Sequence, residues 1–361
     1  MEIKGSTILL KLWNFPYKPA EDYNLLKHIE TGKYTKIIVN AVQEFAVEDW
    51  NNMFGITAKR LEKALAEYNI ELLIIYGTYG SCNEQVNEDP VVNTTVAYWP
   101  MFFLHEAYNV DINYDLEEDI PDEHIEKIGS MLNNRPRYHR CVTIEYLSKH
   151  DLLKHMHYSW HDNRDHAKTE TFKFKSFDNK VKKFKDDFTG NGMGENAPYE
   201  VFQSLLQIIS ESTINGYFYT EKTFNAIIRG RPFLNIGRPG SNKALENFGF
   251  KTYLEDFTKT NQFEQNWLET HSNLTDDLFE EYVDRFIYAL SHDIEKYIDT
   301  PKVLQQLLQE KIDYNRKRYR EILSSKLYGR PKAIDLFIRD TGFTPEELYL
   351  YVPGKIKLSP Y

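Results

Sequence analysis

Residues 205–237 read LLQIISESTINGYFYTEKTFNAIIRGRPFLNIG. Two short apolar runs, LLQIIS at 205–210 and PFLNIG at 232–237, bracket a stretch whose apolar residues recur at helical spacing from Thr220 to Gly230. A strand, a helix and a second strand in so short a length form a βαβ unit. Such a unit argues for two parallel strands, which need a crossover to join them. Thr220 is placed to cap the helix and Glu221 lies in its first turn, where the helix dipole favours an acid. Lys222 does not fit that account, since a cation in the first turn opposes the dipole. Either the helix is simply well capped and Lys222 has a private partner, or its N-terminus is an anion site that Lys222 completes.

The same alternation extends toward the N-terminus. Strands are expected at 6–13, 36–42, 71–78 and from Tyr98 to Leu104, with helices over 20–31 and 57–69. Alternating strands and helices predict a parallel sheet with helices on both faces, an α/β fold. The acidic, proline-containing stretch YDLEEDIPDEH at 114–124 reads as a linker. After it the pattern restarts, with strands over 128–134 and 155–160, a helix from Pro136 to about His150, and a further strand at 250–254. A helix over 275–298, begun by Thr275 with Asp276 and Asp277 in its first turn, and another from Pro301 to Ser325 close the pattern. The expected division is residues 1–125, 126–275 and a helical region 276–361.

Bulk properties bound the function. A chain of 361 residues is too long for one ordinary core and suits two domains. Its net charge of −10 argues against nucleic-acid binding over the whole surface and leaves room only for a local basic patch. Cys82 and Cys141 are its two cysteines, which excludes a disulfide framework and a four-cysteine zinc site and fits a reducing cytoplasm. No apolar run reaches the ~20 residues of a membrane span. Aromatics make up 14% and are mostly Tyr and Phe, which suits either a core or a sugar-binding surface.

A second basic cluster sits at another strand-to-helix junction. LNNRPRYHR at 132–140 places Arg135, Arg137, His139 and Arg140 within six residues. Arg137 and Arg140 share a helix face and are suited to bidentate recognition of phosphate. A solvated basic helix start is the plainer alternative.

The segment ESTINGYFYTEKTFNAIIRGRPFLNIGRPG resembles the donor-binding motif of the α-1,3-fucosyltransferases, in which G-Y-x-T-E-K opens the helix. NNRPRYHRCVTIEYL is similar to that family's arginine-to-leucine segment, with Arg140 seven residues before Leu147. A closer likeness is to glycosyltransferases encoded by tailed phages, which share the arginine-rich start, the T-E-K-T helix and the G-F-K-T run at Gly249 to Thr252. Together these cover about residues 128–257, and the first 125 residues offer no comparable match.

The resemblance implies a GT-B arrangement: two facing Rossmann-like domains with long C-terminal helices, the donor nucleotide held by the C-terminal one. It implies transfer of a sugar from a nucleotide sugar to an acceptor hydroxyl, inverting and without a metal or other cofactor. The chain contains no D-x-D motif, in keeping with the last point. Arg140 and Lys222 would meet the donor diphosphate, with Glu221 on the ribose, Tyr219 against the nucleotide, and Glu211 near the sugar or leaving group; Arg137, Thr220 and Asn225 complete the expected donor-binding set. Two departures stand out: Ser212 replaces the family's asparagine, and the fucosyltransferase insertions are missing.

An inverting transfer needs a base for the acceptor hydroxyl. Strand ends of the N-terminal domain offer Glu44, and His105 with Glu106. GTYGS at Gly77 to Ser81 could admit substrate closely. Residues 168–185, KTETFKFKSFDNKVKKFK, alternate lysine with phenylalanine: an amphipathic hairpin, or a nucleic-acid groove that would make modified phage DNA the acceptor. His155, His157, His161 and His166 cluster without zinc spacing. The expected partners are a nucleotide sugar and either a glycan or DNA bearing a hydroxymethylated base, with no membrane, in the cytoplasm of an infected host. A non-catalytic protein that binds a sugar or nucleotide is the reading from another class.

Overall fold

The computed structural model describes residues 1–11, 25–41, 58–76, 78–79, 94–98, 125–133, 137–160, 203–211, 214, 216–271, 274–324 and 339–344. By contacts the chain divides into two units. The first takes Met1–His105, Asn215–Tyr219 and Ile322–Tyr361; the second takes Glu106–Ile214 and Thr220–Glu321.

In the first unit, β1 (Glu2–Lys4) turns back on β2 (Thr7–Lys11) as an antiparallel hairpin. Helix α1 (Leu25–Ile29), β3 (Lys36–Ala41), α2 (Ala58–Glu67), β4 (Glu71–Tyr76), β5 (Thr78–Tyr79) and β6 (Thr94–Tyr98) follow. The sheet order is β1-β2-β3-β4-β6, parallel from β2 onward. Ile8 to Leu10, Ile37 to Val39 and Leu72 to Ile75 are each buried along the whole run, so both faces of the sheet are covered. Helix α2 shows why such a sheet takes a helix: Leu61, Ala64 and Leu65 are buried while Lys59 and Arg60 face water.

The second unit contains β7 (Lys127–Asn133), α3 (Tyr138–Lys149), β8 (Met156–Trp160) and β9 (Ser204–Ile209). The two-residue strand β10 (Tyr217–Phe218), grouped with the first unit, pairs antiparallel with β5. Then come α4 (Glu221–Ile228), β11 (Phe233–Asn235), α5 (Ser241–Ala244), α6 (Thr258–Thr270), α7 (Asp276–Ile294) and α8 (Pro301–Ser324). The second sheet is parallel throughout, in the order β11-β9-β7-β8. From β7 the chain steps to β8 on one side and then to β9 on the other. Right-handed crossovers therefore send α3 and α4 to opposite faces. Between the carboxyl ends of β7 and β9 lies a topological switch point. Nearer the start of β7, Gly129 allows β9 its close approach, because a Cβ at that position would stand 2.7 Å from the Leu206 carbonyl oxygen.

Helix α7 buries Phe279, Tyr282, Val283, Phe286, Ile287, Leu290 and Ile294, a stripe at helical spacing. It holds α3 at both ends. The Tyr138 hydroxyl donates to Glu280 at 2.9 Å; Lys149 and His150 reach Asp284 at 2.7 and 2.6 Å. Among the described residues no helix is long and apolar enough to cross a membrane.

The α/β class, the parallel sheets and the C-terminal helices agree with the sequence expectation. The strand expected at 250–254 is a correction. That segment is irregular and runs into a short 3-10 turn, Leu254–Asp256. Its backbone groups find a side chain instead of a strand: Asn315 of α8 accepts from the Lys251 N–H at 2.8 Å and donates to the Lys251 carbonyl at 2.9 Å. Fully buried Asn315 thus supplies both partners that a neighbouring strand would have given.

Candidate functional site

Several buried polar residues of the second unit collect at or beyond the carboxyl ends of its strands. Asn133 ends β7, Ser210 and Glu211 follow β9, and Asn235 ends β11; each is at most 5% exposed. Burying so many polar groups in one place is costly unless they pair with one another or with a ligand.

Glu211 is the hub. Its Oε1 accepts the Thr220 backbone N–H at 2.9 Å and the Thr223 hydroxyl at 2.5 Å, and its Oε2 accepts the Thr220 hydroxyl. The carboxylate therefore ties the end of β9 to the start of α4 across a nine-residue excursion. Thr223 has a single hydroxyl proton, and Glu211 takes it. The Asn235 Oδ1 lies 3.2 Å from the same hydroxyl, a second and weaker acceptor for it.

Thr220 is the N-cap of α4, as the sequence predicts, with extended backbone angles and a side chain that accepts from the Lys222 N–H at 3.3 Å. The Lys222 ammonium turns back to the same hydroxyl, Nζ lying 3.4 Å away. The cation at the wrong end of a helix thus stands beside the Glu211 carboxylate, which offsets the dipole term that opposes it. Asn225 sits one turn on; the Oδ1 end of its amide is buried with no hydrogen-bond partner among the described residues. Tyr219 is completely buried. Glu221 begins α4, but its side chain falls outside the described residues.

The N-terminus of α3 supplies the other half. Arg137 is the N-cap residue and makes no side-chain cap bond, since a guanidinium has no acceptor to offer the helix N–H groups. Arg140, 3% exposed, sends Nε to the Ser210 carbonyl and Nη2 to the Glu211 carbonyl, each at 3.3 Å. His139 Nε2 lies 2.7 Å from that same Glu211 oxygen. Burial pushes the His139 pKa down to about 3; the Glu211 carbonyl works against that, and Arg140, Arg137 and Lys222 add to it. Among the described residues, three cations from two helix starts thus act on one neutral imidazole, with the Glu211 carboxylate near them.

Chemically this is a cluster of cationic side chains at a switch point, of the kind that suits an anion. The arrangement joins Arg137, Arg140, Glu211, Thr220 and Lys222 in one place. His139, Ser210, Thr223 and Asn235 belong to it too, without having drawn a role from the sequence; the clue was their position at strand ends and helix starts. Glu264 was silent. It lies in the middle of α6, where its Oε1 accepts the Gly240 N–H, pinning the loop after β11 at a glycine with φ of +88°. In the same loop Asn242 bonds both backbone groups of Asn235, at 2.8 and 2.9 Å. Glu44, His105, Glu106, Arg135, Gly77 and the lysine–phenylalanine stretch 168–185 lie outside the described residues, as do His161 and His166.

No protein-family model matches the chain, and no curated protein matches it. Among solved structures it is similar to an α1,3-fucosyltransferase crystal structure, at 11% identity and a TM-score of 0.34, over 87% of this chain and 92% of that one. A likeness of that depth extends to neither substrate nor mechanism.

Proposed function

We propose that the protein is a nucleotide-sugar-dependent glycosyltransferase of the GT-B kind whose second unit holds the donor. What supports this is the convergence of Arg137, Arg140 and Lys222 at the switch point of a parallel sheet, around the buried hub Glu211. Positive side chains gathered at one place are the groups that a diphosphate needs. Helix N-termini add backbone donors of the same sign.

In the transfer, the acceptor hydroxyl attacks the anomeric carbon of the donor sugar and the bond from that carbon to the diphosphate oxygen breaks. Its electron pair leaves with the nucleoside diphosphate, whose growing charge meets Arg140, Arg137 and Lys222. The hydroxyl proton goes to a base, for which Glu44, His105 and Glu106 are the candidates from the sequence. Attack from the face opposite the leaving group inverts the anomeric centre. Cationic side chains do here what a metal would do elsewhere, so the transfer proceeds without one. Glu211, with its carboxylate occupied by α4, positions the cations instead of touching the sugar.

A thermal-shift screen against UDP-, GDP-, CMP- and ADP-sugars tests this, since a ligand bound only to the folded state raises its stability by mass action. The expected result is a shift with one donor class, reduced at least about tenfold in affinity by Lys222→Ala with folding intact. A folded protein that shifts with none of them overturns the proposal.

A further inference from the structure

His139 is surrounded by the donor site yet is accounted for by none of the steps above. A carbonyl oxygen can only accept, so the 2.7 Å contact with Glu211 fixes the proton on Nε2. The tautomer is thereby set, and Nδ1 carries a lone pair. Among the described residues no donor meets that lone pair, although the side chain is 6% exposed. Burial and the neighbouring Arg140, Arg137 and Lys222 keep the ring neutral throughout the physiological range, with the Glu211 carbonyl the one group acting the other way.

A fixed neutral acceptor among three cations is selective in a particular way. A phosphate oxygen would set lone pair against lone pair at Nδ1. An ammonium group would be repelled by the three cations. A hydroxyl satisfies both demands, because it donates to Nδ1 while its own oxygen accepts from a cation.

Building on the donor assignment, we propose that His139 is a specificity-determining residue. Its Nδ1 accepts a hydrogen bond from a hydroxyl of a sugar adjoining the diphosphate, either the ribose or the transferred sugar. The phosphates go to the arginines and the lysine, and the imidazole reads whether a hydroxyl stands next to them.

The two ring nitrogens can be separated by substitution. His139→Gln keeps a donor near the place of Nε2 and removes the Nδ1 acceptor. His139→Asn keeps an acceptor near Nδ1 and loses the bond to Glu211. Calorimetric titration would use inorganic pyrophosphate, GDP- and UDP-sugars, and analogues lacking single hydroxyls on the ribose or on the transferred sugar. Pyrophosphate is expected to bind wild type and His139→Gln alike. The intact donor should bind His139→Gln about tenfold more weakly, with His139→Asn recovering part of the loss. One deoxy analogue should lose about tenfold on wild type and nothing on His139→Gln, and its position says which sugar is read.

Nitrogen-15 spectra of histidine-labelled wild type need no variant. They should show the Nε2–H tautomer unchanged from pH 5 to 8, with the Nδ1 resonance moving when donor is added. If wild type binds neither pyrophosphate nor any donor, the donor assignment falls and this proposal with it. If donor binds but Nδ1 does not respond, or every deoxy analogue loses equally on wild type and on His139→Gln, this proposal alone is overturned.

Discussion

In the first unit the parallel strands lie in the order β2-β3-β4-β6, so every crossover steps the same way across the sheet; in the second the order β8-β7-β9-β11 reverses the step after β8. Both sheets are made of the same material, apolar runs covered on both faces. The described strands of the first bury few polar side chains, Thr7 and Asn40. The second sheet buries Ser130, Asn133, Ser204, Ser210, Glu211 and Asn235 on or just past its strands. Reversal parts two helices that would otherwise lie side by side, and the gap at the carboxyl edge is where polar groups can be both buried and useful. The comparison teaches that sheet composition does not place a site here. The direction of one chain step does, and the polar groups then make that edge the part of the second sheet most sensitive to charge.

The sharpest test of that difference is acid. His139 has an ordinary pKa of 6.5 when unfolded and about 3 when folded. The folded pKa is the lower one, so the stabilisation is complete above pH 6.5 and is lost as pH falls toward 3. Over the full window the loss reaches roughly 5 kcal/mol. Hydrogen exchange at pH 7 and pH 4 would follow both sheets at once. Amides of β7 and β9 should lose protection on acidification while those of β3 and β4 keep theirs, and His139→Gln should flatten the acid limb. Equal loss in both sheets would mean that the strand-end cluster does not set the weak edge.

Next in size is the hub. Glu211→Ala strips the partner from the Thr220 N–H and from two threonine hydroxyls, all buried, and a cost of about 3–4 kcal/mol is expected. The loss should appear as a lower urea midpoint, with exchange rising in β9 and α4. Glu211→Gln keeps the shape and one acceptor, and should recover part of the loss. A drop under about 1 kcal/mol for the alanine variant would show that β9 and α4 hold together without the carboxylate.

Much of this was legible in the sequence. Strands β3, β4, β7 and β9 are short apolar runs, and periodicity finds those because burial on both faces needs every side chain to be apolar. Thr220 and Thr275 were legible as caps because capping is local, and the structure has both accepting a backbone N–H. Lys222 was legible as an anomaly against the helix dipole. What the sequence hid was long-range. No periodicity says on which side of β7 the strand β9 will lie, so the switch point was invisible. Residues 250–254 look like a strand because their apolar spacing is right, while the partner that replaces the strand, Asn315, is 64 residues away. His139 was visible among its arginines, but that its ring is buried and neutral follows only from packing.

Glu264 was the least legible residue of all and gives the smallest of the three effects. It is buried, and burial raises its pKa from 4.5 to about 7 against the hydrogen bond from the Gly240 N–H, with the nearby Asn242 and Tyr282 side chains acting in the same direction as that bond. Here the folded pKa is the higher one, so the folded state favours the protonated acid. Its contribution is intact below pH 4.5 and is lost as pH rises through about 7, by about 3 kcal/mol in all. This is opposite in sign to His139, so the two residues squeeze the second unit from both ends of the pH scale. Glu264→Gln supplies a neutral side chain of the same shape. Urea midpoints for wild type and Glu264→Gln should nearly coincide at pH 5 and separate progressively to pH 8, the variant being the more stable. A difference that stays flat across that range would mean the acid is ionised and solvated in the folded protein, and that the loop after β11 is held at Gly240 by something other than a buried carboxylic acid.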